Sequence, residues 1–305
     1  MGINVLSLFD GMSCGQIALE RIGVDVDNYY ASEIDLHAIK VTQANYPNTK
    51  QLGSVTELED WELPHIDLLI GGSPCQGFSS AGKGLNFEDP RSKLFFEYVR
   101  LLKETNPKYF LLENVYMKQE WQDIISNALG VKPIDINSSL VSAGMRRRLY
   151  WTNIPGVSIP NANGVELTDV LDNAFSDKQK SFCIDANYGK GSNLKRYFYR
   201  GSRQIVFTDK NFMDDLILNK PNIEDCNFIG KENREKWRFL TPEECERIQT
   251  VPVGYTSGVP KFWRYHMLGN GWTVDVVSHL FKGLINVKTV STLTGIKDLG
   301  VNYDK

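Results

Sequence analysis

The chain has 305 residues, of which 42% are hydrophobic and 23% are charged, and its formal net charge is −3. This composition is typical of a folded globular protein and excludes disordered and fibrous chains. No apolar run approaches the roughly 20 residues of a membrane-spanning helix, and the first residues lack the basic and apolar regions of a signal peptide, so we expect no membrane partner.

The cysteines are few and scattered. There are 5 of them, and no two form a Cys-x-x-Cys pair. An odd number without paired spacing argues against a disulfide framework and against a structural zinc site. We therefore expect a protein of a reducing compartment, the cytoplasm, that holds no metal.

Charge is distributed unevenly along the chain. Residues 1–137 carry 11 Lys or Arg against 19 Asp or Glu, a net charge of −8, whereas residues 138–305 carry 23 against 18, a net charge of +5. The excess positive charge lies at 146–148 and 195–203, the latter interleaved with Tyr and Phe. Basic and aromatic residues together suit contacts with phosphates and bases, although a solvated surface can have the same composition.

The first predicted strand covers residues 5–9 and leads into a loop at 10–15 that contains two glycines. Ser13 in this loop is suited to be the N-cap of the helix that follows. The loop lacks the Gly-x-Gly-x-x-Gly spacing, so it does not indicate a phosphate-binding turn.

A second predicted strand, residues 28–32, ends at Glu33, and Asp35 opens the next helix. An acidic residue about 20 positions after a glycine loop, at the end of the second strand, is placed to accept hydrogen bonds from ribose hydroxyls. The other interpretation is an exposed carboxylate at a helix N-terminus, which the helix dipole favours. A ligand with a ribose but no phosphate cradle fits S-adenosylmethionine better than a dinucleotide.

The strongest candidate for a reactive residue follows the predicted strand 66–70. Gly71 and Gly72 allow a sharp turn and the close approach of a ligand, and Pro74 fixes the backbone next to Cys75. The thiol is thus predicted at the carboxyl end of a strand, where open α/β sheets bind their ligands. A small buried cysteine is the alternative, but it does not require this glycine and proline setting. We predict that Cys75 is a nucleophile.

A carboxylate and a pair of arginines are predicted to lie near Cys75. The strand 109–112 ends at Glu113, at the same edge of the sheet. In the extended segment further along, Arg146 and Arg148 share one face and Arg147 points the other way. Charged groups beside an apolar strand are costly to bury unless a polar or anionic ligand meets them. Arg146 and Arg148 are therefore candidate site residues, and Arg147 is expected at the surface.

The remaining elements complete an alternating α/β pattern. Thr241, Pro242 and Glu244 predict a capped helix, whereas residues 156–236 show no clean periodicity and are predicted to form a second, loop-rich region. We therefore expect an α/β fold with a main domain from 1–155 plus 237–305 and a smaller one from 156–236. The other predicted elements are helices at 94–102, 121–129 and 273–284 and strands at 131–137 and 149–151.

Taken in order, these stretches resemble the motifs of the cytosine-carbon-5 DNA methyltransferase family. Ser-Pro-Cys-Gln-Gly-Phe-Ser at 73–79 resembles its nucleophile motif, Glu-Asn-Val at 113–115 its glutamate motif, and Ser-Leu-Phe-Asp-Gly at 7–11 its first cofactor motif. Arg146 and Arg148 resemble its paired arginines. Leu-Thr-Pro-Glu at 240–243 and Gly-Asn at 269–270 resemble its C-terminal motifs. The wording of the motifs is most similar to the catalytic domains of animal de novo DNA methyltransferases, and the length to bacterial or phage enzymes.

The resemblance implies a Rossmann-like sheet that binds S-adenosylmethionine without a metal, and a target-recognition domain at 156–236. It implies methyl transfer to carbon 5 of a flipped-out cytosine through a covalent Cys75 adduct. Glu113 would hydrogen-bond ring nitrogen 3. Arg148 would contact the ring oxygen at position 2 and lower the pKa of Cys75, and Arg146 would contact the backbone or the nucleophile loop. The implied cofactor-binding residues are Phe9, Asp10, Gly11, Met12, Ser13, Glu33, Ile34, Ser54, Val55, Ser73, Pro74, Asn270 and Trp272.

The resemblance also implies partners and a setting. The partner is double-stranded DNA, bound by a monomer in the cytoplasm of a bacterial or phage-infected cell, and a restriction endonuclease for the same site is a candidate second partner. Two positions depart from the family pattern. Gly144 stands where a Gln is usual, and Ser54 stands where an acidic residue contacts the adenine, so these two contacts are in question.

Three alternatives remain open at this point. The first is the same chemistry on a tRNA cytosine. The second is a catalytically silent, DNA-binding relative, against which the intact Cys75, Glu113 and paired arginines argue. The third is an unrelated Cys/His hydrolase, which none of the 4 histidines obviously supports.

Overall fold

A seven-stranded sheet with helices on both faces forms the body of the protein. The computed structural model describes residues 2–57, 62–74 and 90–294, with the backbone alone at 90–92 and 286–294. The strands of this sheet are β1 (Ile3–Leu8), β2 (Val26–Ser32), β3 (Lys50–Gln51), β4 (Leu68–Gly71), β5 (Tyr109–Val115), β6 (Ile134–Asn137) and β7 (Arg147–Thr152).

The strand order is β3-β2-β1-β4-β5-β7-β6. Neighbouring strands from β3 to β5 run parallel, whereas β7 runs antiparallel to both β5 and β6. β4 is buried along its whole length, as expected for a parallel strand that is covered on both faces. The α/β class predicted from the sequence is confirmed.

The helices that follow the strands form the two outer layers. Val5 of β1 belongs to a core with side chains of the first and last helices, and Leu6 and Leu8 belong to a second core on the other face. This alternation is the one that the period of a strand dictates. The helices are α1 (Cys14–Arg21), α2 (Leu36–Asn45), α3 (Pro90–Thr105), α4 (Gln119–Leu129), α5 (Leu194–Arg200), α6 (Lys210–Leu218), α7 (Cys226–Glu232), α8 (Pro242–Ile248), α9 (Lys261–Asn270) and α10 (Val274–Thr294).

Part of the predicted second region has a hydrophobic core of its own. Residues from Leu194 to Trp237 form this third cluster, closed by a two-stranded antiparallel sheet of β8 (Ile205–Phe207) and β9 (Trp237–Phe239). By contrast, Leu167, Ile184 and Tyr188 pack into the main core. The expectation of a loop-rich region understated its regular structure, because α5, α6 and α7 are too short to give a clear helical period.

Several element boundaries differ from the expectation. β5 continues to Val115, so Glu113 lies inside the strand, because residues 111–115 pair with the antiparallel β7. The sequence did not predict α9, which begins after Pro260 without a side-chain cap, and α10 runs past the expected end at Leu284. Among the described residues, no helix combines the length and the apolar character that a bilayer crossing requires.

Candidate active site

A cavity of about 420 Å³ opens at the carboxyl ends of the parallel strands. The register aligns these ends, because Leu8 is paired with Ser32 and with Gly71, and Gly71 with Leu112. The loops after β1, β2, β4 and β5 therefore meet at one edge of the sheet, which is where open α/β sheets bind ligands. Residues from β7 and from the end of α9 complete the wall.

The loop after β1 has an unusual backbone. Phe9, Gly11 and Ser13 all have positive φ, at 56°, 58° and 60°, and for Phe9 and Ser13 this conformation carries strain that the surroundings must hold. The expectation that Ser13 caps α1 is wrong. Its side chain makes no capping bond, because the hydroxyl donates instead to the carboxylate of Asp10.

Asp10 is the titratable group of this loop. Its other carboxylate oxygen accepts a hydrogen bond from the Tyr29 hydroxyl at 2.8 Å. Burial raises the pKa of Asp10 from 3.8 to about 6, and the nearby Glu33 raises it slightly further, against the opposing hydrogen bonds from Ser13 and Tyr29. The negative charge of this carboxylate is therefore costly in the protein without a ligand.

This pKa gives a prediction for stability. Between about pH 4 and pH 6 the folded state binds more protons at Asp10 than the unfolded state does, so this group lowers the free energy of unfolding as the pH rises. Asp10→Asn removes the charge and keeps the shape. We expect the variant to equal the wild type near pH 4 and to be more stable by about 2 to 3 kcal/mol at pH 7. Chemical denaturation at both pH values measures this, and an equal difference at both contradicts it.

Glu33 joins the loops after β1 and β2. Its Oε2 accepts the Gly11 N–H at 2.7 Å, and its Oε1 accepts the N–H groups of Ile34 at 2.7 Å and Asp35 at 2.8 Å. Asp35 caps α2, as predicted, by accepting from His37 N–H. A carboxylate has about four acceptor positions, so Glu33 retains capacity for a ligand hydroxyl in the cavity.

Glu113 and Arg148 form an ion pair in the cavity wall. Glu113 is paired with Tyr150 and Val115 with Arg148 across the antiparallel ladder, so the two charged side chains are diagonal neighbours on one face. Arg148 Nε lies 2.8 Å from Glu113 Oε1, and the two side chains are only 14% and 10% exposed. The expected proximity of this carboxylate and this arginine is thus present in the structure.

Arg146 lies on the same side but has different contacts. It is only 6% exposed, and its guanidinium donates to the carbonyl oxygens of Ile184 at 3.2 Å and Gly269 at 3.0 Å. It therefore ties the segment after residue 183 to the end of α9. Arg147 points the other way, as predicted, where it pairs with Asp135 at 2.5 Å and is half exposed.

The segment before Cys75 is anchored to the glutamate strand. Asn114 is buried and its side-chain amide donates to Ser73 Oγ at 3.1 Å. Ser73 and Pro74 line the cavity, and Cys75, the predicted nucleophile, lies outside the described residues. Cys14 also lines the cavity, but burial raises its pKa to about 12, so it is no candidate for a thiolate.

Gly72 brings two walls of the cavity together. A Cβ at this position would lie 3.0 Å from Trp272 Nε1 and 3.1 Å from Glu113 Oε2. A Cβ here would therefore require the indole or the carboxylate to move away from the backbone by a few tenths of an ångström. The interpretation of Gly72 as a residue that leaves room at the site agrees with this packing.

Most of the predicted site residues meet in this cavity. Met12 and Ser13 do not line it, because they are buried behind the loop, at 1% and 0% exposure. Sequence reasoning missed Asn114 and His266 as wall residues. A signal existed for His266, which precedes the Gly-Asn motif by one helical turn. The predicted residues that line the cavity are Phe9, Asp10, Gly11, Glu33, Ile34, Ser54, Val55, Ser73, Pro74, Glu113, Arg146, Arg148, Asn270 and Trp272.

The fold is shared with solved structures of methyltransferases that superpose on nearly the whole chain. A DNMT2 variant from Spodoptera frugiperda has a TM-score of 0.68 and 20% identity over 93% of this chain and 100% of its own. A putative DNA modification methyltransferase from an E. coli prophage has a TM-score of 0.63 and 22% identity over 94% of this chain and 100% of its own. At these identities the similarity establishes the fold.

The chain belongs to the family of C-5 cytosine-specific DNA methylases, which it matches over residues 3–123 and 151–286. The orphan methyltransferase M.SPRI of Bacillus phage SPR is 47% identical over 99% of this chain and 67% of its own length. The type II methyltransferase M.NgoBV of Neisseria gonorrhoeae is 42% identical over 85% of this chain and 66% of its own. The resemblance, the enzyme class and the use of S-adenosylmethionine are thereby confirmed.

The structure explains one of the two departures from the family pattern. A Cβ at Gly144 would lie 2.5 Å from Ile248 Cγ2, so a side chain of α8 fills the space that a Gln at this position would need. Ser54 lines the cavity, and its hydroxyl lies 2.8 Å from the Thr56 hydroxyl. A hydroxyl therefore stands where the family usually places a carboxylate.

Proposed function

We propose that the protein transfers a methyl group from S-adenosylmethionine to carbon 5 of a cytosine that is flipped out of a specific duplex DNA sequence. The observation that carries the proposal is the Glu113–Arg148 ion pair in the cavity. It lies beside the segment that leads into Cys75, within a chain of this family. The roles of the individual residues below belong to the proposal.

The cavity fits S-adenosylmethionine. Its volume of about 420 Å³ lies within the range of small-molecule sites. Phe9 and Trp272 offer aromatic surface for the adenine, and Glu33 has acceptor capacity for the ribose. The carboxylates of Asp10 and Glu33 suit a ligand that carries positive charge. When bound, the cofactor supplies an electrophilic methyl group.

The residues of the chain would activate the cytosine. Carbon 5 of the free ring is a poor nucleophile, and attack of the Cys75 thiolate on carbon 6 would break the π bond between carbons 5 and 6 and give carbon 5 enamine character. After methyl transfer, loss of the carbon-5 proton to solvent and expulsion of the thiolate would restore the double bond and free Cys75. Glu113 would hydrogen-bond ring nitrogen 3 and thereby offset the charge that develops in the ring. Arg148 fixes the Glu113 carboxylate through Oε1 and would reach the ring oxygen at position 2. A base in a duplex cannot meet these groups, so flipping is required.

The direct test is transfer of radiolabelled methyl from S-adenosylmethionine to unmethylated duplex DNA and, in parallel, to tRNA. We expect label on DNA as 5-methylcytosine and none with Cys75→Ser, which should still bind the cofactor. Label on tRNA alone would show that the substrate is RNA and not DNA. No transfer by a wild-type protein that binds both cofactor and DNA would identify a silent, DNA-binding relative.

We further propose that residues 156–236 form the target-recognition domain. The separate hydrophobic core between Leu194 and Trp237 supports this, because such a unit can vary without disturbing the main sheet. The basic residues at 195–203 supply charge for phosphate contacts. We expect that exchanging 156–236 with the equivalent segment of a relative changes the sequence that is methylated, as bisulfite mapping would show. Unchanged specificity would place recognition elsewhere.

We propose a monomer on DNA, working in the cytoplasm of a bacterial or phage-infected cell. The similarity to a Neisseria type II methyltransferase and to a Bacillus phage methyltransferase supports this setting. A restriction endonuclease that acts on the same site, and whose cleavage methylation would block, is the candidate second partner. Resistance of methylated DNA to a panel of such endonucleases, after the target is mapped, tests this partner.

A further inference from the structure

His266 joins three parts of the active site. It lies in the cavity wall on α9. Its Nδ1 is 3.2 Å from the carbonyl oxygen of Ala186, and its Nε2 is 3.2 Å from the side-chain nitrogen of Asn270. The ring is held between Phe262, which is stacked at an interplanar angle of 19°, and Trp263, which meets it edge-on at 80°. Its orientation is therefore fixed from several sides.

His266 and Arg146 contact neighbouring residues in two segments of the chain. Ala186 follows Ile184, whose carbonyl oxygen accepts from Arg146. Arg146 also donates to Gly269, the residue before Asn270. His266 therefore contacts the same two segments as Arg146, one through Ala186 and the other through Asn270.

The two contacts determine the tautomer. A carbonyl oxygen only accepts, so Nδ1 of His266 must carry the proton. The side-chain nitrogen of Asn270 only donates, so Nε2 must be the acceptor. The ring in this tautomer therefore matches the Asn270 amide in the orientation in which its nitrogen lies toward His266.

We propose that His266 is a positioning residue of the methyl transfer reaction, holding the Asn270 amide at the cavity rim and the 184–186 segment against Arg146. The inference rests on the proposed function, because Asn270 is placed there in the cofactor site. It adds to that function a residue that acts through others, by its contacts with Ala186 and Asn270.

Other charged groups surround this ring and must be considered. Arg146 contacts the carbonyl oxygens of Gly269 and Asn270. Asp185, next to Ala186, pairs with Arg203 at 3.4 Å. His37 stacks on Trp263, at 4.3 Å between ring centroids. Asp10 lies in the same cavity, so the test compares variants that all retain these groups.

Two substitutions separate the hydrogen bonds from the packing. His266→Phe keeps a ring between Phe262 and Trp263 but loses both hydrogen bonds. His266→Gln can donate to Ala186 and accept from Asn270, and it does not titrate. His279→Gln is the matched control, because this half-buried histidine contacts Ser158 at 3.0 Å and does not line the cavity. The Kd for S-adenosylmethionine by calorimetry, and kcat and KM for duplex DNA methylation, are measured for each variant.

We expect His266→Phe to raise the Kd and the KM for S-adenosylmethionine about tenfold, with a smaller effect on kcat, and His266→Gln to stay within about twofold of the wild type. The proposal would be overturned if His266→Phe bound S-adenosylmethionine as tightly as the wild type, or if His266→Gln lost as much affinity as His266→Phe. A wild-type protein that neither binds the cofactor nor transfers methyl would instead overturn the proposed function.

Discussion

Glu113→Gln is expected to lower the rate of methyl transfer by about 10² to 10⁴, because a positioned proton donor or acceptor contributes about that factor. The carboxyl group is the group proposed to meet ring nitrogen 3, and Arg148 Nε holds its other oxygen at 2.8 Å. The amide of glutamine can accept from Arg148 with its oxygen and donate to ring nitrogen 3 with its N–H groups, so the geometry of the site is kept. It has no acidic proton to transfer to the ring, so the variant loses the proton-transfer role of the carboxyl group.

The ion pair between Arg147 and Asp135, on the opposite side of β7 from Arg148, provides the control. Asp135→Asn breaks the contact with Arg147, which lies one residue before Arg148 on β7, and both partners of that pair are at least one-third exposed. Exposed pairs contribute little, so we expect transfer within about twofold of the wild type. Single-turnover kinetics with saturating cofactor isolate the chemical step, and a thermal melt confirms folding. A folded Glu113→Gln that keeps more than a tenth of the wild-type rate would contradict the role of the carboxylate.

The sequence predicts the placement of the reactive groups well, because that placement depends on where the strands end and on the alternation of side chains along a strand. Glu113 comes from a buried strand beside the one that leads to Cys75, and the alternation of a strand puts Arg146 and Arg148 on one side. The alternation does not predict the register between β5 and β7, which makes Arg148 the diagonal neighbour of Glu113. Register between strands that are distant in sequence depends on the whole sheet.

The parts of the site that were not predicted depend on contacts between distant segments. The Ser13 hydroxyl has two acceptable partners, a helix end or Asp10, and only the folded loop shows that it bonds to Asp10. The absence of a side chain at Gly144 is explained by Ile248, which is far along the chain. His266 looked like an ordinary histidine, because Ala186, one of its partners, belongs to a segment with no regular pattern.

Gly269→Ala is the second change with a large expected effect. We expect it to destabilise the protein, whereas a change from glycine to alanine in a helix usually stabilises it. Gly269 lies in α9, where alanine ordinarily favours the helix by about 1 kcal/mol. Here a Cβ would lie 2.3 Å from the backbone nitrogen of Ala186 and 2.3 Å from the carbonyl carbon of Asp185. Backbone atoms cannot yield by rotating a side chain, so the 184–186 segment must move away from Arg146 and His266.

We expect Gly269→Ala to lose about 2 to 4 kcal/mol of unfolding free energy through overpacking and to lower methyl transfer more than tenfold in the protein that remains folded. Gly230→Ala in α7 is the control, since the nearest atom to its Cβ is a side-chain atom, Leu194 Cγ, at the longer distance of 3.3 Å. That variant should stay within about 1 kcal/mol of the wild type. Denaturant melts and initial rates measure both variants. Equal or greater stability of Gly269→Ala would show that the 184–186 segment is not held against α9, and that Arg146 keeps its position without it.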